Sequence, residues 1–195
     1  MLKMKANPVS RLVSTVLWQS MREPGLEYFE LFRERMGWTM HGTIIALGQK
    51  GPAIAEYTLR CDNSWRTRNA NISLRDDSGV RSLRIKLDSK GWFENGRHKR
   101  SLAVCTDLDL EWSPSTNTIA IRRLGLPLRA RSGPQTAAWV RFPELTIEPL
   151  PQEYERLGKY HYRYTSHRGA FRAGIHVDSD GLVIEYEGFW RRAAR

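Results

Sequence analysis

The sequence predicts an all-β fold, a sandwich, roll or barrel with little helix. Three observations carry that prediction. Bulky and polar side chains alternate with period two along most of the chain. Gly, Pro, Asn and Asp punctuate the alternating runs. Sustained helical stripes are scarce. Alternation of this kind sets one face of a strand on a core and the other in water, as antiparallel sheets do. Strands at this spacing, joined by short turns, argue for a closed or rolled all-β architecture.

In chain order, Val9, Leu12, Val13, Val16 and Leu17 fit a helical stripe, but Val13, Thr15 and Leu17 fit a strand equally well. The β-branched content there leans toward strand. Strands are then expected over AEYTLRC (55–61), NISLRD (71–76), SLRIKLD (82–88), DLDLEW (107–112) and NTIAIRRL (117–124). Further strands are expected over WVRF (139–142), LTIEPL (145–150), YHYRYT (160–165) and GLVIEYEGFW (181–190). EPG (23–25), QKGP (49–52), DDSG (76–79), SPST (113–116), SGP (132–134) and DSDG (178–181) read as turns. Glycine supplies positive φ there and proline fixes φ. PQEYERLG (151–158) reads as one or two helical turns, with Pro151 at its start and Gly158 at its end.

One hairpin can be registered. If SPST turns DLDLEW back on NTIAIRRL, Trp112 faces Asn117, Leu110 faces Ile119 and Leu108 faces Ile121. The four aliphatics then share a face, and Asp107 faces Arg122 on the other. A slip of one residue would break this pattern, so the register is favoured.

The 195 residues suit one domain with a substantial core. Residues 1–13 are expected to be an extension and 14–195 the domain. Lys plus Arg exceed Asp plus Glu by 31 − 21 = 10. The charge favours acidic partners: nucleic acid, an anionic membrane face or an anionic head group. Only Cys61 and Cys105 are present, so no disulfide framework or multi-cysteine zinc site is available. Pro8 and Arg11 interrupt the basic start, leaving no signal-peptide core, and no segment approaches the ~20 apolar residues of a membrane span. A cytoplasmic location is expected.

Asp107 and Asp109 lie two apart on an expected strand and point the same way, which makes them the best acid–base candidates. The plainer alternative is pairing with Arg122 and Arg123 or with backbone donors. His41, His98, His161, His167 and His176 form no metal motif, although His161 and His167 could converge on an ion. No phosphate-binding glycine loop or nucleophile elbow occurs, and no cofactor is expected. Arg66–Arg68, Arg97–Arg100, Arg122–Arg131 and Arg191–Arg195 are basic clusters with interleaved aromatics. No recognised nucleic-acid motif accompanies them, so no specific nucleic acid is expected. Trp65, Trp92, Trp112 and Trp139, with Tyr57, Tyr154, Tyr162 and Tyr164, either fill a core or line a cavity.

The blocks YTLRCDNSWRTRNANI, LAVCTDLDLEWSPSTNTIAIRRL, AAWVRFPELTIEPLPQEY and VDSDGLVIEYEGFWRR together resemble the bacterial putative glycolipid-binding family, long known as a domain of unknown function. The resemblance runs from about residue 16 to the end. Members usually have Leu and Pro where Ile119 and Ala120 stand. The resemblance implies a spiral β-roll, one highly curved antiparallel sheet forming an incomplete barrel. It also implies kinship in shape with carriers that hold acyl chains in a hydrophobic cavity, and no assigned catalysis. The expected function is therefore non-catalytic binding of a glycolipid or other amphiphile in an apolar cavity of the roll. Candidate ligand-binding residues are Trp65, Arg66, Arg68, Asp107, Asp109, Asn117, Arg122, Trp139 and Tyr154, with Arg122 favoured for a charged head group. Contact with an anionic membrane surface fits the charge. An enzyme of lipid or sugar-conjugate metabolism using Asp107 and Asp109 is the alternative from another class, and a charge-driven nucleic-acid or anionic-surface binder is the third.

Overall fold

The computed structural model describes residues 10–48 and 51–195. Residues 1–9, and Gln49 and Lys50 of the expected 49–52 turn, lie outside the described residues. The strands are β1 (Arg11–Ser20), β2 (Gly25–Glu34), β3 (Gly37–Gly48), β4 (Gly51–Cys61), β5 (Thr67–Asp76), β6 (Gly79–Asp88), β7 (Gly91–Glu94) and β8 (Arg97–His98). After them come β9 (Asp107–Leu110), the helix α1 (Asn117–Leu124), β10 (Gln135–Val140), β11 (Ile147–Gly158), β12 (His161–Ser166), β13 (Phe171–Val177), β14 (Val183–Tyr186) and β15 (Trp190–Ala194). All fifteen strands join one sheet in the order β8-β7-β6-β5-β4-β3-β2-β1-β15-β14-β13-β12-β11-β10-β9. The expected single all-β sheet is what forms.

The sheet is a meander closed through its chain ends. β1 pairs antiparallel with β15, so the first and last strands meet in its middle. β8 and β9 are the two edges. One ladder is parallel: β9 runs beside β10 from Asp107↔Ala137 to Leu110↔Val140. A parallel neighbour needs a crossover, and α1 supplies it. The curl brings edge strand β9 back toward the other half of the sheet. The Leu108 N–H donates to Thr67 Oγ1 of β5 at 3.1 Å.

Strands form where alternation placed them in β1, β4–β6 and β9–β12, while the expected 181–190 strand is split into β14, a turn at 187–189 and the start of β15. Two local readings are corrected. PQEYERLG is not helical; it completes β11, with Gln152 and Tyr154 buried on one face. NTIAIRRL is α1 and not the second strand of a hairpin, so the Asp107–Arg122, Leu108–Ile121, Leu110–Ile119 and Trp112–Asn117 cross-strand pairs do not form. The physical reason is burial on all sides. Residues 113–121 are buried without a break, which suits a helix enclosed by the fold and not a half-solvated hairpin. Arg122 and Arg123 sit in the last turn, and Gly125 closes the helix at φ 52°, its N–H donating to the Ile121 carbonyl at 3.1 Å. Arg123, not Arg122, meets Asp107, in a bidentate pair at 2.7 Å for both contacts.

The polar residues that lead into α1 bond to strands from all around the roll. Thr116 Oγ1 accepts from the Leu110 N–H at 3.2 Å and donates to Asp109 at 2.7 Å. Asn117 Oδ1 accepts from the Tyr154 hydroxyl of β11 at 3.0 Å. Thr118 Oγ1 donates to the Gly181 carbonyl at 3.0 Å. The apolar Ile119, Ala120 and Ile121 continue the core of Trp18, Phe29, Met40, Ile44 and Leu59. The interior that the resemblance assigns to acyl chains therefore holds the chain's own helix. Cys61 and Cys105 are free and buried, and burial pushes the Cys105 thiol up to about 11.

Ile119→Ala should lower the unfolding free energy by about 2–5 kcal/mol in a denaturant titration, as for a core aliphatic. A helix acting as a loose lid would lose under about 0.5 kcal/mol.

Candidate functional site

Two features converge where the segment before α1 passes under the sheet. The first is a buried acid. Glu27 occupies an inward position of β2 and is 0% exposed. Tyr57 Oη donates to its carboxyl at 2.6 Å. Ser113 Oγ lies 2.8 Å from both carboxyl oxygens, and Ser113 and Ser115 hydroxyls meet at 2.7 Å. Gly42 makes this possible: a Cβ there would stand 2.1 Å from the Tyr57 ring. Burial raises the Glu27 pKa to about 8, only partly opposed by hydrogen bonds from Tyr57, Ser113 and Ser115.

The second feature is a half-enclosed cleft of about 270 Å³. Asp109, Ser113 and Asn117 form its polar side. Trp139 and His167 meet edge to face at 5.7 Å on one wall. Tyr164, Phe171, Tyr186 and Phe189 make the opposite wall, packed edge to face or tilted at 5.1–6.5 Å. Arg141 caps Trp139 at 4.3 Å, and Arg22 caps Phe189 at 3.7 Å. Asp109 takes hydrogen bonds from Thr116 at 2.7 Å and from Gln152 at 2.6 Å. Burial nonetheless raises its pKa above the ordinary carboxyl value.

The positions singled out in sequence divide into three groups. Asp109, Asn117 and Trp139 line the cleft. Tyr154 lies behind it, bonded to Asn117 and packed on Tyr164 at 5.2 Å. Asp107 is occupied by Arg123, so the two aspartates of β9 serve different partners. The third group is structural or remote. Asp62 accepts from the Ser64 and Arg66 N–H groups and holds a tight turn with Trp65 at φ 62°. That turn buries Trp65 against Trp38 at 4.6 Å. Arg122 covers the outer face of Trp65 at 5.5 Å. It also borders a separate hollow of about 210 Å³ with Arg156 and Lys159. Arg66 is exposed, and Arg68 is paired with Asp62 at 2.7 Å. His161 and His167, which could have converged on an ion, do not meet: His167 is the partner of Trp139 and His161 stacks on His176.

Sequence reasoning missed Glu27, Ser113, Phe171, Tyr186 and Phe189, and considered His167 only as an ion ligand. Glu27 carried a readable signal: it stands in phase with Phe29 and Leu31, at a position that should face the core. A larger hollow of about 780 Å³ lies on the outer face of β2–β6, lined by solvent-facing positions such as Tyr28, His41, Glu56, Asn71 and Arg84. It is open and holds no buried ionisable group at its surface except the Tyr57 ring edge. The aromatic cleft is the better candidate, because enclosure and a desolvated carboxyl coincide there.

Comparison with known proteins gives a consistent picture. A family model described as "Putative glycolipid-binding" matches residues 15–192. A crystal structure of a protein of the DUF1089 family from Pseudomonas aeruginosa superposes with a TM-score of 0.77. It is 30% identical and covers 98% of this chain and 99% of that one. No curated protein matches.

Glu27 makes stability depend on pH with a defined sign. Its folded value of about 8 lies above its ordinary value of 4.5, so the fold keeps a proton that the unfolded chain releases. The stabilisation is full below the unfolded value and is lost as pH rises toward 8, at up to about 1.4 kcal/mol per pH unit. Glu27→Gln should flatten this decline in denaturant titrations between pH 5 and pH 8. An unchanged slope would show that Glu27 is not the buried titrating group.

Proposed function

The chain belongs to the putative glycolipid-binding family, and on that premise we propose that it binds the sugar-bearing head group of a glycolipid in the aromatic cleft, without catalysis. The observation that carries this reading is the pairing of aromatic walls with a desolvated carboxyl on one side of a small enclosed space. A sugar ring offers two kinds of surface. Its C–H faces pack on flat aromatic rings such as Trp139, and its edge hydroxyls need acceptors and donors. Asp109, Ser113 and Asn117 supply those on the polar side. A hydrogen bond to a charged carboxylate contributes about 1.5–3 kcal/mol, so one or two are enough to orient a ring already held by stacking.

The acyl chains take a different place from the one the resemblance implied. Helix α1 fills the roll, so the chains stay in the membrane or micelle from which the head group projects. The net charge of +10 favours approach to an anionic lipid surface. This division assigns Trp65, Arg66 and Arg68 no direct part in holding the sugar.

A second reading rests on one observation, the raised pKa of Asp109 inside a cleft. Such a carboxyl suits a general acid in sugar-conjugate chemistry. Asp109→Asn separates the two readings, since a catalyst would lose turnover of a glycolipid while a binder has none to lose.

Titration of the protein with glycolipid in nanodiscs, followed by tryptophan fluorescence, should saturate. Trp139→Ala should weaken the binding about tenfold or more, as for an aromatic anchor. Wild-type affinity in a folded Trp139→Ala protein would overturn the cleft assignment.

A further inference from the structure

On the outer face of the sheet, at the far end of β12 and β13 from the cleft, three metal-ligating side chains meet. The register pairs His161 directly with His176 across the two strands. Their rings stack at 4.2 Å with an interplanar angle of 10°. Glu187, just beyond β14, reaches the same place, with Oε1 3.3 Å from His176 Nε2. One ligand atom from each of the three residues lies within 4.8 Å of the others.

The carboxylate is held by backbone and not left to wander. Glu187 Oε2 accepts from the Gly174 N–H at 3.1 Å, and the Glu187 N–H donates to the Gly174 carbonyl at 3.0 Å. Gly174 is two residues before His176 on the same strand. A Cβ there would stand 2.3 Å from Glu187 Cδ, so the bare backbone of Gly174 is what lets the carboxylate lie flat beside the imidazoles. Arg163, the outward neighbour of His161 on β12, would repel a cation, but its guanidinium is paired with Glu155 at 2.8 Å.

We propose that His161, His176 and Glu187 form a binding site for one divalent transition-metal cation, with Zn²⁺ the chemical match. Two imidazoles and one carboxylate are a ligand set that Zn²⁺ takes with its fourth position open to water or to an exogenous ligand. Zn–N and Zn–O bonds near 2.0–2.2 Å put neighbouring ligand atoms about 3.3 Å apart in a tetrahedron. The ligand atoms now lie within 4.8 Å of one another, so binding requires each ring to turn about its Cβ–Cγ bond. The turn also replaces the parallel stack, whose in-plane lone pairs run side by side, by a converging pair. Both histidines are only half-buried, which leaves room for this movement. The site is independent of the glycolipid reading: His161 faces outward on β12, whereas Tyr164 and Ser166 of the cleft face inward.

The experiment is a competition titration of the full-length, metal-free protein with ZnCl₂ against a chromophoric chelator. The expected result is one equivalent bound, a rise in Tm on addition of Zn²⁺, and tetrahedral d–d bands when Co²⁺ replaces Zn²⁺. His161→Gln and His176→Gln should each abolish the Tm rise and the Co²⁺ bands, and Glu187→Gln should weaken binding about tenfold or more. These side chains lie on the outer face, so the metal-free variants should keep the wild-type circular dichroism spectrum. If either glutamine variant misfolds, ethoxyformylation of the wild-type histidines, with protection by Zn²⁺, supplies the same test. Absence of stoichiometric binding, or binding that survives the double histidine substitution, overturns the proposal.

Discussion

Buried polar groups must find partners, and that constraint organises this molecule. Each buried polar side chain left without a hydrogen bond costs on the order of 1–3 kcal/mol. Ser113, Ser115, Thr116, Asn117 and Thr118 run in an almost unbroken polar line through the inside of the roll. Each is satisfied by a different part of the sheet: Glu27 of β2, Tyr57 of β4, Leu110 and Asp109 of β9, Tyr154 of β11 and the Gly181 turn. The network therefore ties α1 and the segment before it to both halves of the sheet.

The same network shapes the candidate cleft. Ser113 and Asn117 keep their internal bonds and also border the cleft, and Asp109 joins them from β9. The aromatic wall comes from β12, β13, β14 and the turn before β15, the strand that pairs with β1. A filled interior and a small rimmed cleft follow from one cause. A roll emptied to hold acyl chains would expose five polar side chains to hydrocarbon, which is the costlier arrangement.

The architecture was legible because most strands obey a two-residue period and turns are marked by glycine, proline and aspartate. The failures share a physical origin. In β2, Glu27 occupies the core phase, which disguises the alternation of GLEYFELFRE. In β11, Gln152 is buried, so PQEYERLG loses its strand pattern and looks like a helix. In α1, Ile119 and Ile121 imitate a strand because the polar residues beside them are also buried. In each case a polar side chain sits inside for the sake of a partner far along the chain, Ser113 for Glu27 and Asp109 for Gln152. Local periodicity cannot register such partners. The candidate site was legible to the extent that it used motif residues, Asp109, Asn117 and Trp139. Its aromatic wall comes from β12, β13, β14 and the turn before β15, a local meander whose inward aromatics no motif marks.

The central claim is that the roll is plugged and that recognition of a glycolipid falls on its head group. Saturation-transfer NMR on the protein with a micellar glycolipid tests this directly, by irradiating aromatic protein resonances and reading the ligand. The account predicts strong transfer to sugar ring protons and little to the acyl methylenes. Strong transfer to the acyl chain, with the sugar silent, would contradict it.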